Sequence, residues 1–376
     1  MKKKILFLTG TRADYGKLKP LIRITKNQKK FQTIIFSTGM HLLKNYGSTY
    51  IEILKDFKNI NLYKISNQKK SDKMDKVLIN SLKIYGEYFK KIKPDLVVIH
   101  GDRIETLAAS IYCNLNNILI AHIEGGEVSG TVDESLRHAT SKLSHVHFVS
   151  NQKAKKLLIR LGELKKSIHI IGSPEVDTMI SKNLPNISQV KERYDISFDR
   201  YGILLFHPVT TVTKAKIFNQ CKNLFNAIQK SKKNFVIIFP NNDNNSDIIL
   251  KFLGKLKKNK QFKILPSLRF EHYLSLLKNS DFIIGNSSSG VREASGYGIY
   301  SINLGNRQHN RVKNKLIINS DFNKNKILNH INNINKKKLK KSIFNFGYGN
   351  SAKKFLNIIN SKLFWKTKKQ KFFAIN

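Results

Sequence analysis

The 376-residue chain reads as an α/β protein with two doubly wound parallel sheets. Three observations predict this. Short runs rich in β-branched residues alternate with longer amphipathic stretches, the pattern of βαβ units rather than of hairpins. A second series of such runs follows "GSPEVDTMISKNLPNIS", a stretch with two prolines and few apolar residues. The length also suits about two cores at roughly 150 residues each.

In the first series the strands are "KILFLTG", "TIIFSTG", "DLVVIHG", "NILIAHI", "VHFVS" and "IHIIGS". The loop "TGTRADYGK" follows the first of them and leads to a helix expected to start near Lys17. Between the third and fourth strands, "DRIETLAASIYCNL" places Ile104, Leu107, Ala108, Ile111 and Leu115 at helical spacing, which predicts one buried stripe. The second series runs "YGILLFHP", "FVIIFPNND", "FKILPS", "DFIIGNSSSG" and "YSINLGNR". The domain boundary falls between Gly172 and Asn186, giving domains 1–172 and 173–351. A helical pattern in "NSAKKFLNIINSKLFW" places a last helix over 352–370 that would complete the first domain, and the lysine-rich residues beyond Lys366 are expected to fray.

Composition narrows the classes. No segment reaches the roughly 20 apolar residues of a membrane span. The start "MKKKILFLTGTRAD" imitates a signal peptide, but its apolar run breaks at Gly10 without a cleavage pattern, so a cytoplasmic protein without a membrane partner is expected. Cys113 and Cys221 lie far apart without metal-ligand spacing, which argues against a disulfide framework or a zinc site and leaves core packing. Sixty-eight basic residues against twenty-five acidic ones give a net charge of +43, which raises nucleic acid as a partner. The lysines spread along the whole chain with no compact recognition motif, as biased codon usage would produce. Nucleic acid is therefore not expected as the partner, although the same field would also attract an anionic small molecule.

Loops at the carboxyl ends of parallel strands are where open α/β sheets hold ligands. Here they carry acidic residues: Asp102 after "VVIHG", Glu124 and Glu127 in "HIEGGE", and Asp133 in "TVDES". Paired carboxylates suit proton transfer, because a cleft can raise one pKa toward neutrality while its neighbour stays ionised. Each has a structural alternative: Asp102 pairing with Arg103, Asp133 capping the helix "ESLRHATSKL", and His207 in "LLFHP" as a satisfied core histidine. The opening loop has neither GxGxxG nor Walker spacing, which disfavours NAD and ATP; Arg12 there offers a forked donor for phosphate or is a surface arginine. In "GNSSSGVREAS", Asn286, Ser287, Ser288, Ser289 and Gly290 precede a helix containing Glu293. That reads as an anion site built from backbone N–H groups and hydroxyls, or as a serine cap. Glu293 could accept from ribose hydroxyls, and Arg307 stands at the next strand end; a nucleoside diphosphate fits all three.

The segments "GTRADYGKL", "HGDRIE", "HIEGGEVSGTVDESLRHATSKLSHVHF", "FHPVTT", "FPNND" and "GNSSSGVREASGYGIYSINLGNRQ" resemble, in order and spacing, the hydrolysing UDP-N-acetylglucosamine 2-epimerases over nearly the whole chain. The likeness is closest to bacterial members acting on UDP-N,N'-diacetylbacillosamine in legionaminic acid synthesis. The resemblance implies a GT-B architecture: two Rossmann-like domains with the active site in the cleft between them, and neither cofactor nor metal. Carried over by matching positions, it implies catalytic Asp102, Glu124 and Asp133. It also implies UDP contacts from Arg12, Arg103, His207, Asn241, the backbone of Leu268, Ser287, Ser288, Glu293 and Arg307. Gly16 occupies the first-loop position where some relatives of that family carry serine, so a side-chain contact there is lost or replaced by backbone. The implied reaction takes UDP-N-acetylglucosamine or UDP-N,N'-diacetylbacillosamine and water to the free manno-configured sugar and UDP, within sialic or legionaminic acid biosynthesis. Relatives imply a homodimer or homotetramer. A GT-B glycosyltransferase is the alternative, which would need an acceptor, and a basic nucleic-acid-binding protein is a remote one.

Overall fold

The computed structural model describes residues 2–70, 72–334, 342 and 344–369. They divide into two compact units, one made of Met1–Glu127, Asp133–Ile180 and Phe346–Asn376, the other of Val128–Val132 and Ser181–Asn345. The first unit thus runs to Ile180 and resumes at Phe346, where the sequence placed the joints after residues 172 and 351. Of the tail expected to fray, residues 370–376 lie outside the described residues.

The first unit holds a seven-stranded, all-parallel sheet in the order β3-β2-β1-β4-β5-β6-β7. Its strands are β1 (Lys3–Thr9), β2 (Phe31–Ser37), β3 (Asn61–Lys64), β4 (Leu96–His100), β5 (Leu119–Ile123), β6 (Val146–Val149) and β7 (Ile168–Ile170). The crossovers are α1 (Arg12–Lys26), α2 (Tyr50–Asp56), α3 (Met74–Ile92), α4 (Ile104–Leu115), α5 (Val132–Leu143) and α6 (Gln152–Arg160), followed by α7 (Pro174–Met179). Alternate residues of β1 face opposite layers. Ile5 and Phe7 join Leu18, Ile22 and Val98 in one core, while Leu6 and Leu8 join Phe36, Tyr85, Phe89 and Ala108 in the other. Burial on both faces is why these strands read as continuous apolar runs.

The helix after β1 begins at Arg12 rather than near Lys17. Thr11 caps it by accepting from the Asp14 N–H, and the Asp14 carboxylate accepts from the Thr11 N–H in return, a reciprocal box that starts the helix five residues early. In α4 the buried face is Ile104, Glu105, Ala108, Ala109 and Cys113, so the predicted stripe is rotated and Leu115 is 76% exposed. The small residues are the buried ones because α3 lies against α4 there, with Tyr85, Phe89 and Cys113 in the same core.

The last helix, α14 (Ser351–Asn360), belongs to the first unit. Asp177 of α7 holds its start, accepting from Ser351 N, Ser351 Oγ and Ala352 N at 2.8–3.0 Å. Phe355 then fills the core with ring centroids 6.3 Å from Phe7 and 4.9 Å from Phe148.

The second unit holds a six-stranded parallel sheet in the order β10-β9-β8-β11-β12-β13. It is formed by β8 (Gly202–Leu205), β9 (Phe235–Ile238), β10 (Phe262–Leu265), β11 (Phe282–Gly285), β12 (Tyr300–Leu304) and β13 (Ile317–Ser320). The helices are α8 (Ile187–Arg193), α9 (Lys214–Lys230), α10 (Ser246–Leu256), α11 (Phe270–Lys278), α12 (Glu293–Gly296) and α13 (Lys324–Asn333). Its core gathers Leu204, Phe206, Ile217, Leu224, Phe235, Ile237, Phe282, Ile284 and Ile302. Cys113 and Cys221 are buried free thiols, one in each unit, and burial pushes the Cys221 thiol up to about 12 and Cys113 upward as well. Among the described residues no helix is long and apolar enough to cross a membrane.

Candidate active site

In each sheet the strand order reverses at one point, between β1 and β4 in the first unit and between β8 and β11 in the second. At such a point the neighbouring crossovers run to opposite faces and leave a crevice beyond the carboxyl ends of the strands. The candidate residues collect at these two points and at the strand ends beside them.

In the first unit Asp102 follows β4 and Glu124 follows β5, strands paired with His100 opposite Ile123. Glu124 takes φ +65°, a left-handed conformation that costs a non-glycine residue energy and marks functional turns. The two glycines after it explain how the turn packs. A Cβ on Gly125 would stand 2.6 Å from Ser141 Oγ, and one on Gly126 2.4 Å from the Ala154 carbonyl. The Glu124 carboxylate is buried: Oε1 accepts from Ser173 Oγ, while Oε2 lies 3.1 Å from His100 Nε2 and 3.9 Å from Lys17 Nζ. Lys17 also pairs with Glu175 of α7 at 2.5 Å. Glu127 accepts from Ser150 Oγ at 2.9 Å.

Arg137 of α5 organises the remaining carboxylates. Its Nη2 pairs with Asp102 Oδ2, and its Nη1 donates to the Glu127 carbonyl at 2.9 Å. Burial opposes its charge, but the fields of Asp102, Glu127 and Asp133 outweigh that, so its pKa is raised and it stays cationic. Asp133 is the second residue of α5, one turn before Arg137 on the same face, rather than the residue before the helix; the structure thus places it beside the arginine instead of at the cap. Asp102 meets Arg137, and Arg103 has Glu105 beside it, Nε to Oε2 at 3.6 Å. Arg12 pairs with Glu52 of α2. Gly16 lies buried inside α1. His122 donates from Nε2 to the Gly101 carbonyl at 2.7 Å and accepts at Nδ1 from Ser141 Oγ at 2.9 Å, with burial holding its pKa down to about 3.

In the second unit His207, Asn241, Ser287 and Arg307 follow β8, β9, β11 and β12, four neighbouring strands. Leu268 lies buried between β10 and α11. Asn286 ties the row together. Its side chain accepts from the His207 N–H and donates to the His207 carbonyl, both at 2.8 Å, while its own carbonyl accepts from Arg307 Nη1 at 3.4 Å and Gln308 Nε2 at 3.1 Å. His207 Nδ1 accepts from the Asn241 N–H at 3.2 Å, which fixes the proton on Nε2 and makes that atom a donor suited to an anionic oxygen. The serine loop differs from expectation in one respect. Ser287 caps a 3₁₀ turn, Ser288–Gly290, and Glu293 opens a four-residue helix, so an anion bound here would meet hydroxyls and local N–H groups with little helix dipole behind them. The Gly130 N–H donates to the Arg307 carbonyl at 3.0 Å, fixing the arginine's backbone from the 128–132 segment of the same unit.

The structure therefore brings Asp102, Glu124 and Asp133 to one strand-end region, and His207, Asn241, Ser287, Ser288 and Arg307 to another. Reading the sequence overlooked Lys17, His100, Glu105, Arg137, Ser173 and Glu175. Only Arg137 left a signal, its i+4 spacing from Asp133. Among the described residues no group of three or more His, Cys, Asp or Glu is placed to hold a metal ion.

A family model described as UDP-N-acetylglucosamine 2-epimerase matches residues 23–360. The UDP-N-acetylglucosamine 2-epimerase of Neisseria meningitidis serogroup B is 43% identical over 375 residues, 99% of this chain and 98% of that protein. The UDP-N,N'-diacetylbacillosamine 2-epimerase (hydrolyzing) of Legionella pneumophila is 34% identical over 348 residues, 91% of this chain and 92% of that protein. Among solved structures, the Methanocaldococcus jannaschii UDP-GlcNAc 2-epimerase in complex with UDP-GlcNAc and UDP superposes with a TM-score of 0.81 at 26% identity, covering 95% of this chain and 99% of that one. These likenesses bear out the expected fold class, two Rossmann-like domains of the GT-B kind.

Proposed function

This chain belongs to the UDP-N-acetylglucosamine 2-epimerase family, and we propose that it runs the hydrolysing form of that chemistry on a UDP-linked 2-acetamido sugar. The substrate is UDP-N-acetylglucosamine or its 4-acetamido-6-deoxy counterpart, UDP-N,N'-diacetylbacillosamine. The products are UDP and the free manno-configured sugar, made for sialic or legionaminic acid in the cytoplasm by a homodimer or homotetramer.

The hydrogen on carbon 2 of the sugar is not next to a carbonyl and becomes acidic only as UDP departs and positive charge builds on the ring. A carboxylate takes that proton, the carbon 1–oxygen bond to the diphosphate breaks with its electron pair, and a glycal forms. Water then adds its oxygen to carbon 1 while a second carboxylate returns a proton to carbon 2 on the opposite face. The sum consumes water and no oxidant, so the atoms balance without a redox cofactor.

Asp102, Glu124 and Asp133 share the two proton transfers. Arg12, Arg103, His207, Asn241, Ser287, Ser288 and Arg307 receive the developing diphosphate charge, which preorganised donors stabilise best where water is excluded. Glu293 takes the ribose hydroxyls and the Leu268 backbone the base. The observation that carries this reading is the grouping of Asp102 and Asp133 about the buried, charged Arg137, with Glu124 at the next strand end. It supports a site with more than one carboxylate, each held differently. The hydrolysing branch is further supported by the likeness to the Legionella enzyme.

The test is to incubate the purified protein with each UDP-sugar and no acceptor. Stoichiometric UDP and free manno-configured sugar support the reading. Conversion to the epimeric UDP-sugar without UDP release would place the chain in the non-hydrolysing branch, and turnover that waits for an acceptor would make it a glycosyltransferase.

A further inference from the structure

We infer that Glu105 is a positioning residue that aims Arg103 and thereby sets the site's affinity for its nucleotide, an inference that rests on the assignment of Arg103 to the diphosphate. Glu105 is the second residue of α4, one turn from the switch point of the first sheet, and is 1% exposed. Its carboxylate is seated against two glycines, tightly at Gly10 and with no room for a side chain at Gly39. A Cβ on Gly10 would stand 3.3 Å from its Cδ, and one on Gly39, at φ +61°, 2.7 Å from Oε1. Gln68 Nε2 donates to Oε1 at 3.3 Å, and the Tyr85 hydroxyl donates to the Glu105 backbone carbonyl at 3.2 Å. Oε2 is shut off from solvent and has no hydrogen-bond partner among the described residues; the cation beside it is Arg103 Nε at 3.6 Å.

A carboxylate withdrawn from water in this way is costly unless a charge compensates it, so the pair constrains both members. The backbone of Arg103 is fixed as well, because its carbonyl accepts from Thr106 N at 3.0 Å, Leu107 N at 3.2 Å and Thr106 Oγ1 at 2.5 Å. With the main chain held by hydrogen bonds and Nε drawn toward Oε2 by charge at 3.6 Å, the terminal guanidinium nitrogens have fewer directions left. An arginine ordered before its ligand arrives loses less freedom on binding, which raises affinity without adding a contact to the ligand.

The experiment measures UDP binding calorimetrically for the wild type, Arg103→Met, Glu105→Gln and the double variant, together with KM and kcat. Arg103→Met should weaken UDP binding. Glu105→Gln should weaken it about tenfold and raise KM in proportion, with kcat within about twofold, since the interaction acts on binding rather than on the reacting atoms. The double variant should bind UDP no more weakly than Arg103→Met alone. Wild-type affinity in Glu105→Gln, a loss in kcat alone, or full additivity in the double variant would overturn the inference. Unchanged binding in Arg103→Met would instead remove its premise, and the inference with it. Should Glu105→Gln fail to fold, Gln68→Met loosens the same carboxylate from its other side and should weaken UDP binding about threefold; no change would count against the inference equally.

Discussion

Exchanging the partners of the Asp102–Arg137 pair one at a time gives the most demanding check on the proposed centre. Arg137→Met keeps an aliphatic stem of similar reach and removes the guanidinium. The charged hydrogen bond to the Glu127 carbonyl, 2.9 Å long, is then lost at about 1.5–3 kcal/mol. Asp102 is 29% exposed and can turn to water, so the pair adds only about 1 kcal/mol more. The expected destabilisation is about 2.5–4 kcal/mol. Asp102→Asn leaves a guanidinium that is almost wholly buried without its pair. Such a loss costs about 3–5 kcal/mol when nothing replaces it, and the fields of Glu127 and Asp133 reduce it here to about 2–3 kcal/mol. With both substitutions neither member of the pair is left without the other, so the double variant should fall about 1–3 kcal/mol short of the sum. The assay is urea unfolding followed by the fluorescence of the single tryptophan, Trp365, which packs against Phe31 and Phe364 in the first unit and reports that unit. Additivity within about 0.5 kcal/mol would mean the two side chains act independently, and the account of Arg137 as the organiser of the carboxylates would fall.

Three further outcomes follow from the geometry. Glu124→Gln and Asp133→Asn should each slow UDP release by about a hundredfold or more with UDP affinity retained; a variant with wild-type turnover loses its claim to proton transfer. Asn286→Ala removes both hydrogen bonds to the His207 backbone and should cost about 2–4 kcal/mol and weaken UDP binding more than tenfold, so an unchanged thermal melt and an unchanged UDP titration would contradict its role. Burial holds His122 down to about 3 and His41 down to about 4, against 6.5 when unfolded. The unfolded chain therefore takes up protons that the folded chain refuses as pH falls below 6.5. Stability, full above that pH, should then decline by up to about 1.4 kcal/mol per unit for each histidine until the folded pKa values are reached. His122→Gln should flatten the slope in urea titrations between pH 6.5 and 4.5, and a slope equal to the wild type would show that His122 is not buried neutral.

Legibility in the sequence tracked burial. Strands buried on both faces, such as β1 and β4, announced themselves as apolar runs, whereas the edge strands β3 and β13, short and half exposed, left no mark and went unread. The early start of α1 was written in Thr11 and Asp14, three apart, but the glycines and bulky side chains around them read as loop. Leu115 shows the opposite error: helical spacing counted it into a stripe that the neighbouring α3 never covers.

The chain order of residues was enough to determine the alternation of strands and helices, the two parallel sheets, the acidic and serine-rich strand ends, and the family likeness. All of these depend on local periodicity or on short motifs. Which charge answers which was decided only by tertiary structure. Asp102 meets Arg137 thirty-five positions away, Glu124 lies among Lys17, His100 and Ser173, and Glu105 is seated by Gly10 and Gly39. The physical reason is that a buried charge must be compensated through space, and the crossovers of a doubly wound sheet bring together strand ends that the sequence keeps tens of residues apart.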